Sequence, residues 1–294
     1  PQVAAVVAVI ATVRPDILAL QGFDWDMTGA ALAAFGQALA EAGHPMPHGF
    51  SAQPNAGQRT GLDHDGDGRT DGPRDAQGYG AFTGQGGLAV LARHPIDTGA
   101  VRHLSALLRP DLPGATLPEG GAFPSADLYE VQRLSSVAHW DVPVIVGDRT
   151  LHILTFHASP PVFDGPEDMN GLRNADELRL WQVYLQGGLV VAAPGGDYVL
   201  LGDANLDPHD GDGRGAAMRA FLDSGLVQDP RPASAGGAAA AVPGQRGDPA
   251  LDRGAEIVDR VHADAEFGDV QRHRSRNWRA RRAASREAAP SPGD

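Results

Sequence analysis

The residues best suited to chemistry lie in one short segment, Gly202-Asp203-Ala204-Asn205-Leu206-Asp207-Pro208, directly after the apolar run Tyr198-Val199-Leu200-Leu201. A short, fully apolar run of this kind reads as a strand buried in the centre of a sheet. It delivers an Asp and an Asn at its C-terminal end, where open sheets place their ligands. Residues two apart on a strand point to the same side, so both side chains can address one bound group. The carboxylate suits a divalent cation or the orienting of a water. The amide suits a phosphoryl oxygen or the attacking water. The same residues equally suit an Asx-rich turn that caps a strand, and spacing alone does not separate the two.

A second signal lies upstream. The run His152-Ile153-Leu154-Thr155-Phe156 reads as a strand and ends in His157, before Ala158-Ser159-Pro160-Pro161. An imidazole at that edge can stabilise a phosphoryl oxyanion. A lone histidine is more often structural, but two strand ends converging on one sheet edge favour the chemical reading.

The elements that must hold these groups can be read from periodicity and turn signals. Residues 1–13 read as a helix with Val3, Val6, Val7 and Ile10 as its apolar stripe, broken by Arg14-Pro15. Ile17–Leu20 reads as a strand, 28–42 as a helix stopped by Gly43 and Pro45, and Leu88–Ala92 as a strand. His44 to Gly87 is polar and Gly-rich, and 97–130 is loop-like, punctuated by Pro110, Pro113, Pro118 and Pro124. Segments around His139–Val146 and Leu151–His157 flank Gly147-Asp148 as a β-hairpin. Residues 158–174 read as loop, 175–186 as a helix with Leu178, Trp181 and Leu185 on one face, and Gly215–Asp223 as a further helix. Beyond about residue 230 the composition shifts to Ala, Gly and Pro. Seven arginines and no acidic residue occupy Arg272 to Arg286.

Composition bounds the answer. The 294 residues are 42% hydrophobic, enough for one large domain or two small ones with a sizeable core. No run approaches the ~20 apolar residues that span a bilayer. Cysteine is absent, which excludes disulfides, thiolate metal sites and a cysteine nucleophile. All 24 basic residues are arginine, which excludes a Schiff-base or P-loop lysine. The net charge of −13 gives no general attraction for nucleic acid. It fits either a solvated acidic surface or carboxylates gathered around cations. The arginine-rich end could bind phosphates, but only Trp278 interleaves it with an aromatic ring. Compartment and oligomeric state stay open; export to a periplasm or beyond fits if a signal peptide was removed or lies upstream.

The ordered set of strand, His157, helix and Gly202-Asp203-x-Asn205 resembles the core motif of the endonuclease/exonuclease/phosphatase superfamily. Further segments resemble one bacterial subfamily: Pro73-Arg-Asp-Ala-Gln-Gly-Tyr-Gly80, Gly84-Gln-Gly-Gly-Leu-Ala-Val-Leu91, His157-Ala-Ser-Pro-Pro-Val-Phe-Asp-Gly-Pro-Glu-Asp168 and Asn170-Gly-Leu-Arg-Asn174. The similarity runs from about residue 1 to 252. It implies a four-layer α/β/β/α sandwich, here lacking the family's first and last strands, while composition marks an atypical arginine-rich tail at 253–294 as largely disordered. It also implies hydrolysis of a phosphodiester or phosphomonoester by activated water, assisted by Mg2+ or Mn2+. In that scheme Asp203 binds metal or orients water, Asn205 positions the phosphoryl group and His157 stabilises its charge. Arg173 and Asn174 become substrate contacts, Arg173 being equally suited to an ion pair with Asp176 or Glu177.

The chain departs from the family at two places. A metal-binding Glu is expected after Gln21, but Gly22 stands there; Asp24 or Asp26 could substitute as ligand, and either equally suits a cap of the following helix. The terminal Asp and Asp-His elements have only faint counterparts in Ile257-Val258-Asp259 and Arg272-His273-Arg274. The expectation is a chain that starts inside a domain and whose reading frame is altered after about Asp252. A catalytically impaired relative that keeps the scaffold to bind a cation or partner is the alternative function.

One feature is separable. Asp63, Asp65, Asp67 and Asp71 occupy positions one, three, five and nine of a Ca2+-type loop with Gly68 at six, although Arg74 stands at position twelve. A Ca2+ loop and a solvated acidic turn both fit.

Overall fold

The computed structural model describes residues 2–209, 211–230 and 257–258. Two sheets face each other. The smaller has the order β1-β3-β2, built from Ile17–Phe23 (β1), His48–Phe50 (β2) and Gly87–Ala92 (β3), all antiparallel. The larger has the order β4-β5-β6-β7-β8: Arg102–His103, Ala138–Val146, Arg149–His157, Tyr198–Asp203 and Ile257–Val258. Its pairs are antiparallel except β6 and β7, which run parallel. The helices are α1 (Gln2–Val13), α2 (Ala30–Glu41), α3 (Ala126–Val131), α4 (Met169–Leu185) and α5 (Gly215–Leu222).

Three apolar clusters fill the three interfaces of a four-layer α/β/β/α sandwich. Val7, Ile10, Phe35 and Leu39 of α1 and α2 pack on Leu91 and Leu20 of the small sheet. Leu88 and Val90 meet Trp140, Val142 and Ile153 between the sheets. Leu178, Trp181, Met218 and Phe221 of α4 and α5 pack on Leu154, Phe156 and Leu200 behind the large sheet. Strand alternation sorts neighbours into different layers: Val90 faces the inter-sheet core and Leu91 the outer helices, and Ile153 and Leu154 divide likewise.

The hairpin turn falls at Gly147-Asp148, between β5 and β6. The helix expected from residue 175 begins six residues earlier, at Met169. Asn170 and Gly171 look like loop residues, yet Asp164 and Asp168 accept the backbone N–H groups of Asn170 and Leu172, Asp168 through its carbonyl, which holds the first turn. In the polar stretch, His48–Phe50 forms a strand too short for any periodicity to announce. Of the expected α1 stripe, Val7 and Ile10 are buried while Val3 and Val6 are exposed. The arginine-rich tail lies outside the described residues, apart from Ile257 and Val258, whose backbones pair with Leu201 and Leu200.

Candidate active site

The parallel β6–β7 ladder brings the two expected strand ends together, because its last register pair is His157 with Asp203. Both have the parity of Ile153 and Leu201, which face the inter-sheet core, so both side chains emerge at the edge between the sheets. His157 Nε2 lies 3.8 Å from Asp203 Oδ2, and each side chain is about a quarter exposed. The chain then turns sharply. Asn205 adopts a left-handed conformation with φ 48°, which Asn tolerates better than most residues. Its N–H donates to Asp203 Oδ1 at 2.9 Å, and its Nδ2 donates to Ala158 O at 2.7 Å. Ala158 N–H returns a bond to Asp203 O at 2.8 Å. The Asx turn and the juxtaposition of functional groups are therefore one structure.

The small sheet reaches the same edge. Gln21 Nε2 on β1 donates to Thr155 Oγ1 on β6 at 3.4 Å. Gly22 sits in a bulge of β1 with φ 72° and open space where a Cβ would stand. The strand end that would carry the family's Glu thus meets β6, with no side chain to offer.

The other expected residues fall elsewhere. Asp24 is exposed, and its Oδ1 accepts from Gly86 N–H at 2.7 Å, tying the end of β1 to the start of β3. Asp26 caps α2 by accepting the backbone N–H groups of Thr28, Ala30 and Ala31 and the Thr28 hydroxyl. That hydroxyl, with the backbone donors, holds its carboxyl down at about 2.

Arg173 and Asn174 require correction as substrate contacts. Arg173 is buried, and its Nε and Nη2 donate to the carbonyls of Leu134, Gln77, Arg133 and Ser135. Burial without a carboxylate bond lowers its pKa to about 10, and no ion pair forms with Asp176 or Glu177. Asn174 is fully buried, and its Nδ2 donates to Ser159 O and Ala204 O at 2.7 and 2.8 Å.

Sequence inspection missed Glu177. This buried carboxylate accepts the N–H and hydroxyl of both Ser136 and Ser159 at 2.6–2.7 Å, tying the segment that enters β5 to the segment that leaves β6. Also missed was Asp141, fully buried and bonded at 2.6 Å to His152 Nδ1, Arg102 and the Tyr184 hydroxyl. Their partners lie 11 to 43 residues away, so no local pattern could have marked them.

Divalent-metal donors can be judged from side-chain chemistry. Asp203 offers one carboxylate, and Asn205 and Gln21 carry amide oxygens nearby. Mg2+ keeps several waters and accepts one or two carboxylates plus substrate phosphates, so this hard-oxygen set fits it at a low protein-ligand count. Among the described residues, the one group of three acidic or histidine side chains with metal-like spacing is Asp63, Asp65 and Asp67, whose ligand atoms lie within 4.8 Å of one another. Asp71 is not in that group and pairs with Arg69 at 3.2 Å. Arg74 lies 3.7 Å from Asp65, a cation where a bidentate Glu was needed.

A two-sheet sandwich with a polar site where parallel strands end defines the class. The profile of the Endonuclease/Exonuclease/phosphatase family matches residues 1–284, and the chain belongs to that family. No curated protein sequence matches it. Among solved structures it is similar to sphingomyelinase C from Streptomyces griseocarneus (18% identity, TM-score 0.43, covering 77% of this chain and 63% of that one). It is similar also to an endonuclease/exonuclease/phosphatase family protein from Leptotrichia buccalis (14%, 0.45, 88% and 80%). A third is beta toxin from Staphylococcus aureus with bound magnesium ions (12%, 0.42, 78% and 63%). The chain thus spans less than two thirds of the sphingomyelinase's length. Among the described residues, no helix is long and apolar enough to cross a membrane.

Proposed function

We propose that this protein is a metal-dependent phosphoesterase acting through His157, Asp203 and Asn205. The observation that carries the reading is the in-register pairing of His157 with Asp203 at the open end of a parallel strand pair. Asp203 and Asn205 would hold Mg2+ or Mn2+, which when bound supplies a Lewis acid for a phosphoryl oxygen. Asp203 would orient the attacking water. The Asn205 amide, fixed through Ala158 O, would position the phosphoryl group, and His157 would stabilise its developing charge. Family membership supports a phosphoester substrate. The test is release of 4-nitrophenol from its phosphate mono- and diesters, with Mg2+ and with EDTA. Turnover that needs the metal supports the proposal. Absence of turnover, with the protein folded, favours the impaired relative in which Gly22 has removed an essential ligand.

A second cation-binding reading rests on Asp63, Asp65 and Asp67. The backbone N–H groups of Gly68 and, less strongly, Gly66 hold the Asp63 carboxylate and lower its pKa. Calorimetric titration with Ca2+ should show binding that Asp65→Ala removes. Heat indistinguishable from buffer would end this reading.

A further inference from the structure

We propose that Asn174 is a positioning residue for this site: its carboxamide sets the separation of the two strand-end segments that carry His157 and Asp203. The inference rests on the phosphoesterase reading for its effect on turnover, but on geometry alone for its effect on structure. The regular β6–β7 ladder stops at His157 and Asp203. Beyond it the two segments diverge, one into Ala158-Ser159-Pro160 and the other into Ala204-Asn205. Asn174, in the second turn of α4, puts one amide group beneath both. Its Nδ2 donates to Ser159 O, two residues past His157, and to Ala204 O, between Asp203 and Asn205, at 2.7 and 2.8 Å. An NH2 group has two hydrogens in one plane, so this single group fixes both carbonyls relative to each other and to the helix.

The burial pattern argues against a role in stability alone. Asn174 is fully exposed to no solvent, and its Oδ1 has no hydrogen-bond partner among the described residues. A buried acceptor left unsatisfied is destabilising, and an apolar side chain of similar volume would avoid that penalty. What an apolar side chain cannot do is hold two carbonyls. The neighbouring buried polar residues on α4 grip the surroundings from other directions. Arg173 holds the carbonyls of residues 133–135, and Glu177 holds Ser136 and Ser159. Only Asn174 of these three bonds to the segment following β7.

The test uses the full chain and compares Asn174→Ala and Asn174→Ser with Asp176→Asn. Asp176 is equally buried on the same helix, but it serves Thr116 and Arg179, away from the strand ends. Misplacement of reacting groups by about 1 Å can cost ~100-fold. The expected result for both Asn174 variants is therefore a kcat about 10- to 100-fold lower with KM changed by less than about two-fold. Their backbone amide resonances at 157–159 and 203–206 should shift, whereas Asp176→Asn should lower the melting temperature without either effect. Unmoved resonances together with an unchanged kcat would overturn the proposal. So would an equal loss of kcat in Asp176→Asn at a matched loss of melting temperature. Shifted resonances in the Asn174 variants of a protein whose wild type shows no turnover would sustain the positioning role and sink the phosphoesterase reading instead, which keeps the two failures distinguishable. If Asn174→Ala does not fold, Asn174→Ser retains one donor and decides the matter.

Discussion

Asn205 combines a left-handed backbone with a side chain we propose to be functional, and the two can be separated. At φ 48° a residue with a Cβ carries strain that glycine does not. Asn205→Gly keeps that conformation while removing the amide that donates to Ala158 O. We expect its stability to stay within about 1 kcal/mol of wild type, because strain relief offsets the lost hydrogen bond. Activity should fall by roughly 100-fold. Parallel denaturant titrations and rate measurements check this, and retained activity would remove Asn205 from the site. At this scale the sequence was informative about types and uninformative about partners. Asp203, Asn205 and His157 could be picked out because strand ends before turn residues are visible locally. Arg173 and Asn174 are equally visible as polar residue types, but their burial and partners are not. Nothing in the local sequence says that an arginine will spend its donors on carbonyls 38 to 96 residues away.

The element that organises the site is α4, whose N-terminal half buries Arg173, Asn174, Asp176 and Glu177. Arg173 and Glu177 hold the segment entering β5, Glu177 and Asn174 the segment leaving β6, Asn174 the segment leaving β7 and Asp176 the loop at Thr116, so the helix works as a clamp on these segments. Glu177→Ala would leave the buried N–H groups of Ser136 and Ser159 and the Ser159 hydroxyl without their acceptor, while the Ser136 hydroxyl keeps only its long bond to His157 O. We expect a loss of about 3–5 kcal/mol, measurable by chemical denaturation, since removing one partner leaves buried groups unpaired. A loss below about 1 kcal/mol would mean that water reaches those serines in solution. The strands of the site were legible because β6 and β7 are apolar runs of strand length with turn signals at their ends. The first two turns of α4 were not. Its buried face is polar, so the apolar periodicity that marks an amphipathic helix starts only at Leu178.

At the scale of the molecule, three apolar interfaces hold the layers, and one of them conceals a titratable group. His139 is fully buried, its ring packed between Phe156 and Trp181. A carbonyl can only accept, so Nε2 donates to Glu177 O and Nδ1 accepts from the Ser135 hydroxyl, which satisfies the neutral ring. Burial pushes its pKa down from 6.5 to about 4. The unfolded chain therefore binds a proton that the folded chain refuses. The stabilisation is complete above pH 6.5 and is lost as the pH falls toward about 4. The expected slope is roughly 1.4 kcal/mol per pH unit in that window. Stability curves for wild type and His139→Gln between pH 7 and 4 check this; identical slopes would contradict it. The layering itself was foreseen through the family resemblance more than through any periodicity. The small sheet contains a three-residue strand, and the large sheet a two-residue β4 that no sequence window could resolve.

The central claim is that the edge where β6 and β7 end is a phosphoester-hydrolysing site. The most direct measurement is the initial rate of phosphodiester hydrolysis with saturating Mg2+, for wild type and Asp203→Asn with matched melting temperatures. Wild type should show metal-dependent turnover, and the variant a rate reduced by on the order of 100-fold or more. Equal rates in the two proteins would contradict it.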